Sequence, residues 1–187
     1  MSNILFGDTE TTGLPIWKIP SDDESQPHIV QLAAVLCNED REITQSMDVI
    51  VKPNCWDISK EVSDIHGITH EMAMDIGVPE KLALEMYMAL WDACDLRVFH
   101  NTVFDNRMLR IALKRYLPDL VSDETWKNKE FYYCTLMASR KIMGGKSGHT
   151  LSESYLHFTV KEMGNAHSAM PDALACKDIY YAIQDLP

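Results

Sequence analysis

Three strand-like segments open this chain, and helix-like segments occupy most of the remaining residues. The strand-like segments are apolar and rich in β-branched residues, and they comprise 4–6, 29–37 and 42–51. Four polar residues separate the second from the third, which predicts an antiparallel hairpin. A further strand is predicted at 96–99, between segments with helical periodicity at 69–74, 79–94, 105–116, 135–143, 151–158 and 171–183. This order predicts an α/β protein with a mixed sheet covered by helices.

The length and composition indicate one folded domain. A chain of 187 residues corresponds to about one domain, so we expect residues 1–187 to form a single unit. A hydrophobic content of 46% is enough for a core. No apolar stretch approaches the roughly 18 residues that cross a bilayer, and no signal peptide is visible, so we expect no membrane association. Five cysteines without a C-x-x-C pair favour reduced thiols and a cytoplasmic location.

The net charge of −11 excludes a general nucleic-acid coat protein, whose affinity would depend on many Lys and Arg residues. It does not exclude an enzyme whose attraction for a phosphate is local. Part of the acidity lies in segment 15–28, which has three prolines and the acidic run 21–25. This composition predicts a mobile surface loop.

Acidic residues also stand beside three predicted elements. Asp8 and Glu10 follow the first strand, Asp105 begins a helix after the fourth strand, and His167 and Asp172 stand at the start of the last helix. On an extended chain, Asp8 and Glu10 face the same side, where they repel unless a cation or a proton joins them. Carboxylate oxygens suit Mg²⁺ or Mn²⁺, and two-metal sites of this kind hydrolyse phosphodiesters. A simple helix-capping role is the alternative for Asp105, but we expect it to have both roles, because a helix N-terminus also holds a carboxylate in position.

At these residues the chain resembles the DEDDh 3′–5′ exonucleases, a family that includes the epsilon proofreading subunit of bacterial DNA polymerase. The family motif D-x-E-T-T-G matches DTETTG, which starts at Asp8. The motif H-N-x-x-F-D matches HNTVFD from His100, and H-x-A-x-x-D matches HSAMPD from His167. A further family feature, H-G-I-T, is found at 66–69. The matches follow the family's order over nearly the whole chain.

The resemblance implies a ribonuclease H-like fold with a mixed five-stranded sheet. It also implies a 3′–5′ exonuclease that acts on DNA ends, preferably single-stranded, and releases nucleoside 5′-monophosphates. Two Mg²⁺ or Mn²⁺ ions would be held by the four acids Asp8, Glu10, Asp105 and Asp172. His167, expected on a mobile loop, would take a proton from the attacking water. The residues expected to contact the substrate are Thr11, Thr12, Gly13, His100 and Asn101.

Two alternatives remain open at this point. One is a 3′–5′ exoribonuclease resembling oligoribonuclease or ribonuclease T, so that RNA is a possible substrate; the DTETTG motif is closer to the DNA proofreading form. The other is a non-catalytic module that binds nucleic acid or a polymerase. Such a module would be expected to have lost an acid, and all four are present. A DNA polymerase or another replication protein is a possible partner, which the sequence neither requires nor excludes.

Overall fold

A computed structural model describes residues 2–145, 147–164 and 167–187. Its centre is a six-stranded sheet in the order β4-β3-β2-β1-β5-β6. The strands are β1 Ile4–Thr11, β2 Ile29–Cys37, β3 Ile43–Lys52, β4 Val78–Pro79, β5 Leu96–Phe99 and β6 Tyr132–Cys134. The helices are α1 Lys60–His66, α2 His70–Ile76, α3 Glu80–Asp92, α4 Thr102–Tyr116, α5 Asp123–Lys127, α6 Thr135–Met143, α7 Leu151–Thr159 and α8 Ala169–Gln184.

The sheet is mixed, as predicted. β1 pairs antiparallel with β2 and parallel with β5, and β2 and β3 form the predicted antiparallel hairpin. The predicted count of five strands is one too low. β4 has two residues and β6 has three, and such short strands have no periodicity that a sequence could reveal.

The two faces of the sheet are covered by different helices. Leu5 of β1 belongs to a core cluster that contains residues of α3 and α4, such as Leu84 and Leu109. The next residue, Phe6, belongs to a cluster that includes Cys176 and Tyr180 of α8. Because successive side chains of a strand point to opposite faces, every second residue of β1 faces α8. None of the helices in the described ranges is long and apolar enough to cross a membrane.

Some helices differ from their predicted bounds. α4 begins at Thr102 and α8 at Ala169, each before the predicted starts at 105 and 171. α1 was not predicted, because its one buried residue is His66 and no apolar stripe marks it. The H-G-I-T feature separates α1 from α2. Gly67 ends α1 with a left-handed backbone (φ 77°), and the Thr69 hydroxyl accepts a hydrogen bond from the Met72 amide at the start of α2.

Residues 15–28 contain no helix or strand, and they make several contacts with one another and with α4. Gln26 is 2% exposed, and its side-chain amide bonds to the backbone of Ile16 and Pro20 across the loop. Two arginines of α4 also bind the loop through hydrogen bonds. Arg107 donates to the Ile19 carbonyl at 2.6 Å, and Arg110 donates to the Ser21 hydroxyl. Prolines and acids signal a loop, but they carry no information about these long-range anchors.

Candidate functional site

Strand β1 carries the first two acids. It continues to Thr11, well past the predicted end at residue 6, so Asp8 and Glu10 lie within the strand and not after it. Both side chains point towards α8, on the same face as Phe6, as their spacing predicts. Asp8 lies opposite Ala33 of β2, whose small side chain leaves room at this point. A register shift between Glu10 and Thr11 then ends the regular pairing.

Asp172 completes a group of three carboxylates. It lies in the first turn of α8, the helix that packs on this face of β1. One carboxylate oxygen from each of Asp8, Glu10 and Asp172 lies within 4.8 Å of the others. Among the residues that the structure describes, this is the one group of three or more His, Cys, Asp or Glu side chains placed to hold a metal ion.

Asp105 approaches the group from the other layer of helices. It lies in the first turn of α4 and is 2% exposed. Its Oδ1 accepts a hydrogen bond from the Thr9 hydroxyl at 2.9 Å. Thr9 stands between the two acids of β1 and faces α4, so this bond ties the fourth acid to the strand that bears the first two. The N-cap residue of α4 is Asn101, so Asp105 lies inside the first turn of this helix and does not cap it.

The four carboxylates disturb one another electrostatically. Burial, and then the charges of Asp105, Asp172 and Glu10, raise the pKa of Asp8 well above its usual value. Burial raises the pKa of Glu10 to about 7, with a further contribution from Asp172. Burial also raises the pKa of Asp105 to about 7 and that of Asp172 to about 6. Four acids that are hard to ionise together form a site that favours a cation.

The donor set fits a divalent metal. The Oδ1 atom of Asp172 is buried and has no hydrogen-bond partner in the described part of the chain. A buried carboxylate oxygen without a partner costs free energy, which a bound cation would remove. The ligands are all oxygen atoms, which suit Mg²⁺ and Mn²⁺ better than softer metals.

His167 lies at the mouth of the site. Its side chain is exposed, and its backbone is left-handed with φ 68°, a conformation uncommon outside glycine. A backbone hydrogen bond and the charge of His167 both act on Asp172, and both oppose the rise in the Asp172 pKa. The imidazole is therefore accessible to solvent and close to one of the three clustered acids.

The remainder of the first motif curves away from the strand. The Thr11 hydroxyl donates to the Gly13 carbonyl at 2.9 Å. The Thr12 hydroxyl accepts from the His28 amide, and the Thr12 amide donates to the His28 carbonyl. Gly13 has φ 155°, and a Cβ there would meet no heavy atom within 4 Å. The two hydroxyls predicted to contact substrate thus shape this turn, and open space remains beside Gly13.

The second motif begins with His100 and Asn101, whose side chains have different surroundings. His100 Nε2 bonds to the His149 carbonyl at 3.0 Å, and Nδ1 lies 2.9 Å from the Thr135 hydroxyl. Burial lowers the pKa of His100, so the ring is neutral and both nitrogens are used inside the protein. Asn101 is exposed with φ 77°, and its side chain makes no capping bond. Of these two predicted substrate contacts, Asn101 has the freer side chain.

Sequence reasoning missed two residues that position the site. One is Thr9, described above. The other is Gln31, which lies opposite Glu10, accepts a hydrogen bond from the Ala169 amide at 3.1 Å, and donates to Asp48 at 2.7 Å. Gln31 thereby fixes the first turn of α8, which carries Asp172. The sequence does contain a signal for Gln31, because it is the one polar residue in the otherwise apolar segment IVQLAAVLC.

Comparison with solved structures supports the fold. A zinc-bound complex of E. coli exonuclease I with single-stranded DNA matches with a TM-score of 0.78 and 20% identity. Another exonuclease I structure matches with a TM-score of 0.77 and 19% identity. Both matches cover 98% of this chain, which spans only 41% of those proteins. Cell-death related nuclease 4 matches with a TM-score of 0.72 and 18% identity, covering 99% of this chain and 64% of that one.

Comparison by sequence gives a match to a family model but none to a curated protein. No curated protein matches the chain significantly. The model of the RNase_T family, described as exonuclease, matches residues 5–180 and so includes all three motifs. With the ribonuclease H-like fold and the gathered acids, this match shows that the chain belongs to the RNase_T exonuclease family.

Proposed function

We propose that this protein is a divalent-metal-dependent 3′–5′ exonuclease that removes nucleoside 5′-monophosphates from single-stranded DNA ends. The observation that carries the proposal is the position of Asp8, Glu10 and Asp172, whose oxygens gather within 4.8 Å. Asp105 lies beside them, and the chain belongs to an exonuclease family. The open space beside Gly13 would admit a terminal nucleotide.

The acids would hold two ions, Mg²⁺ or Mn²⁺, with Asp105 completing the set. Divalent ions in such a site lower the pKa of bound water and offset the negative charge of a phosphodiester. The protein supplies the positioning. β1 and α8 fix the three clustered carboxylates, while Thr9 holds Asp105 in its orientation.

His167 would act as the general base. Its side chain is exposed and lies close to Asp172. A neutral imidazole can accept the proton that the attacking water loses. The nearby carboxylate favours the imidazolium that forms.

Solved neighbours support DNA as the substrate, and the charge of the protein supports single-stranded ends. Exonuclease I has been seen with dT13 and dA16 oligonucleotides, at 20% and 19% identity to this chain. A protein with net charge −11 has few cations to hold a long duplex, which favours frayed or single-stranded ends.

A digestion panel tests the proposal. Single-stranded DNA, duplex DNA and RNA, each labelled at either end, are incubated with Mg²⁺, Mn²⁺ or chelator. We expect metal-dependent shortening from the 3′ end, fastest on single-stranded DNA, and its loss in Asp172→Asn. Asp178→Asn is the matched control, because Asp178 lies on the same helix but pairs with Lys177. Cleavage in chelator would refute the metal site, and faster cleavage of RNA would identify an exoribonuclease.

A further inference from the structure

A groove lies next to the site, between α4, α5, β6 and the 15–28 loop. Its volume is about 640 Å³, within the size range of small-ligand sites. Its lining includes Trp17, Arg107, Arg110, Lys127, Lys129 and Tyr132. The groove therefore combines cations with aromatic rings, in a protein that is acidic as a whole.

The cations of the groove are incompletely neutralised. Asp123 is shared among Arg110 at 2.6 Å, Lys114 at 3.1 Å and Lys127 at 3.3 Å. Arg107 donates to a backbone carbonyl, and its buried Nε has no hydrogen-bond partner in the described ranges. Burial and the neighbouring charge of Arg110 lower the pKa of Arg107, as expected where positive charges are crowded.

An aromatic surface stands open beside these charges. The Trp17 side chain is 55% exposed, although a tryptophan in a loop of this length could fold onto the core. Gln26 and the arginines of α4 anchor the backbone of this loop on both sides of Trp17, at Ile16 and Ile19. An exposed indole next to cations is the arrangement on which bases of a single strand stack.

The groove is close to the acids. Thr102 and Val103 line it, and both belong to the first turn of α4, as does Asp105. The groove therefore reaches the end of α4 that carries Asp105, although at 3.6 residues per turn Val103 and Arg107 lie on the opposite side of this helix from the Asp105 side chain. A strand whose 3′ nucleotide lies at the carboxylates would reach the groove by passing over the N-terminal end of α4.

We propose that this groove binds the segment of a single-stranded polynucleotide that precedes the 3′-terminal nucleotide, with a base stacked on Trp17 and phosphates near Lys127 and Lys129. The proposal rests on the proposed nuclease function and adds a specific path for the strand. It also explains how an acidic protein holds a polyanion, since the positive charge is concentrated where the strand leaves the site.

Binding measured without cleavage tests the groove by itself. The Asp8→Asn variant serves as an inactive background, and fluorescence anisotropy gives the Kd for labelled dT12 and rU12. We expect Trp17→Ala to raise the Kd at least about fivefold, in line with base–aromatic stacking energies. The double variant Lys127→Gln/Lys129→Gln should reduce the slope of log K against log salt by about 1.4, or 0.7 for each lost contact.

The double variant Lys60→Gln/Lys81→Gln is the control for net charge. Both of its lysines are exposed, pair with an acid four residues along a helix, and lie outside the groove. It should bind dT12 within twofold of the background protein. Equal Kd values and salt slopes for the groove variants and this control would overturn the proposal.

Turnover separates failure of the groove from failure of the nuclease function. With the active protein, the groove variants should lose more kcat/KM on dT12 than on a dinucleotide, which is too short to fill the groove. Normal cleavage with no length-dependent loss would refute the groove alone. Absence of cleavage on every substrate would refute the nuclease function, while the binding measurements would still decide whether the groove holds a strand.

Discussion

At the scale of single residues, the ionised acids of the site lower the free energy of unfolding when no metal is bound. Burial raises the pKa of Glu10 and Asp105 to about 7 and that of Asp172 to about 6, against about 4 in an unfolded chain. Between about pH 4 and pH 7 the folded protein therefore binds more protons than the unfolded chain does. Stability contributed by these groups falls as the pH rises through this window.

This argument predicts the effect of Asp8→Asn on the metal-free protein. The substitution removes one of the four charges, so in chelator the variant should have a higher Tm than the wild type at pH 8. The difference should shrink towards pH 5, where the wild-type acids are already partly protonated. Thermal unfolding over a pH series measures this. A variant that is less stable at pH 8, or a difference independent of pH, would contradict the interpretation.

His167 is the residue whose proposed role depends most on a kinetic test. A general base typically contributes about 10²–10⁴-fold in rate, so His167→Ala should lose kcat in that range. Metal affinity should stay near normal, because the clustered oxygens belong to other residues. His157→Ala, an exposed histidine of α7, is the control, and a rate within a few fold of wild type for His167→Ala would remove it from the mechanism.

At the scale of elements, periodicity predicted the long segments and could not predict the short ones. β2, with every residue buried, and α4, with an apolar face, were both visible in the sequence. β6 was not, because three residues show no periodicity; it pairs with β5 so that Tyr132 lies opposite Arg97. This arginine is 1% exposed, and its guanidinium lies within 5.0 Å of the ring centroids of Trp91, Trp126 and Tyr132. No local pattern predicts that an arginine will be buried among three aromatic rings.

The acids of the site could be predicted because their motifs are local in sequence. The residues that position these acids, Thr9 and Gln31, could not. Asp8 and Glu10 share a strand, so period-2 geometry alone places them on one face. The bonds from Thr9 to Asp105 and from the Ala169 amide to Gln31 join residues 96 and 138 positions apart. Such pairs exist only after the sheet and its helices have assembled.

Close packing between elements gives a prediction for Gly77, which joins α2 to β4. A Cβ at this position would lie 2.3 Å from the Ala73 carbonyl oxygen and 2.7 Å from the Lys52 amide nitrogen, both backbone atoms. Gly77→Ala should therefore destabilise the protein by ~1–3 kcal/mol, as overpacking does. Gly164→Ala, whose Cβ would meet nothing within 4 Å, should stay within about 0.5 kcal/mol. Urea unfolding measures both, and similar midpoints for the two variants would show that β3 and α2 can separate at little cost.

At the scale of the whole molecule, the binding of a polynucleotide depends more on where the charges lie than on the net charge. The net charge of −11 opposes the binding of any nucleic acid, yet four cations line the proposed groove, and two of them, Arg110 and Lys127, share Asp123. The acidic run of the 15–28 loop borders this groove, because Ser21 bonds to Arg110 and Trp17 lines the groove from the same loop. Groups that attract a phosphate backbone and groups that repel it therefore lie next to each other along the proposed path of the strand.

The acidic run should limit how tightly a strand is held. Asp22, Asp23 and Glu24 are exposed, and hydrogen bonds from Ser25 lower the pKa of Asp23, so that carboxylate stays ionised. Changing the three to Asn, Asn and Gln preserves size and hydrogen bonding while removing the charge.

The variant should have a lower KM for a 5′-labelled single strand at low salt and release longer runs of nucleotides per encounter. Both effects should fade near 0.1 M salt, where exposed charges are screened over about 10 Å. The measurement is KM and the product ladder at two salt concentrations, with Asp64→Asn/Asp75→Asn/Glu85→Gln as a variant of equal charge change in other exposed positions. An unchanged KM and ladder at low salt would mean that the acidic run faces away from the substrate. An equal effect in the control variant would mean that net charge, and not the position of the loop, sets the affinity.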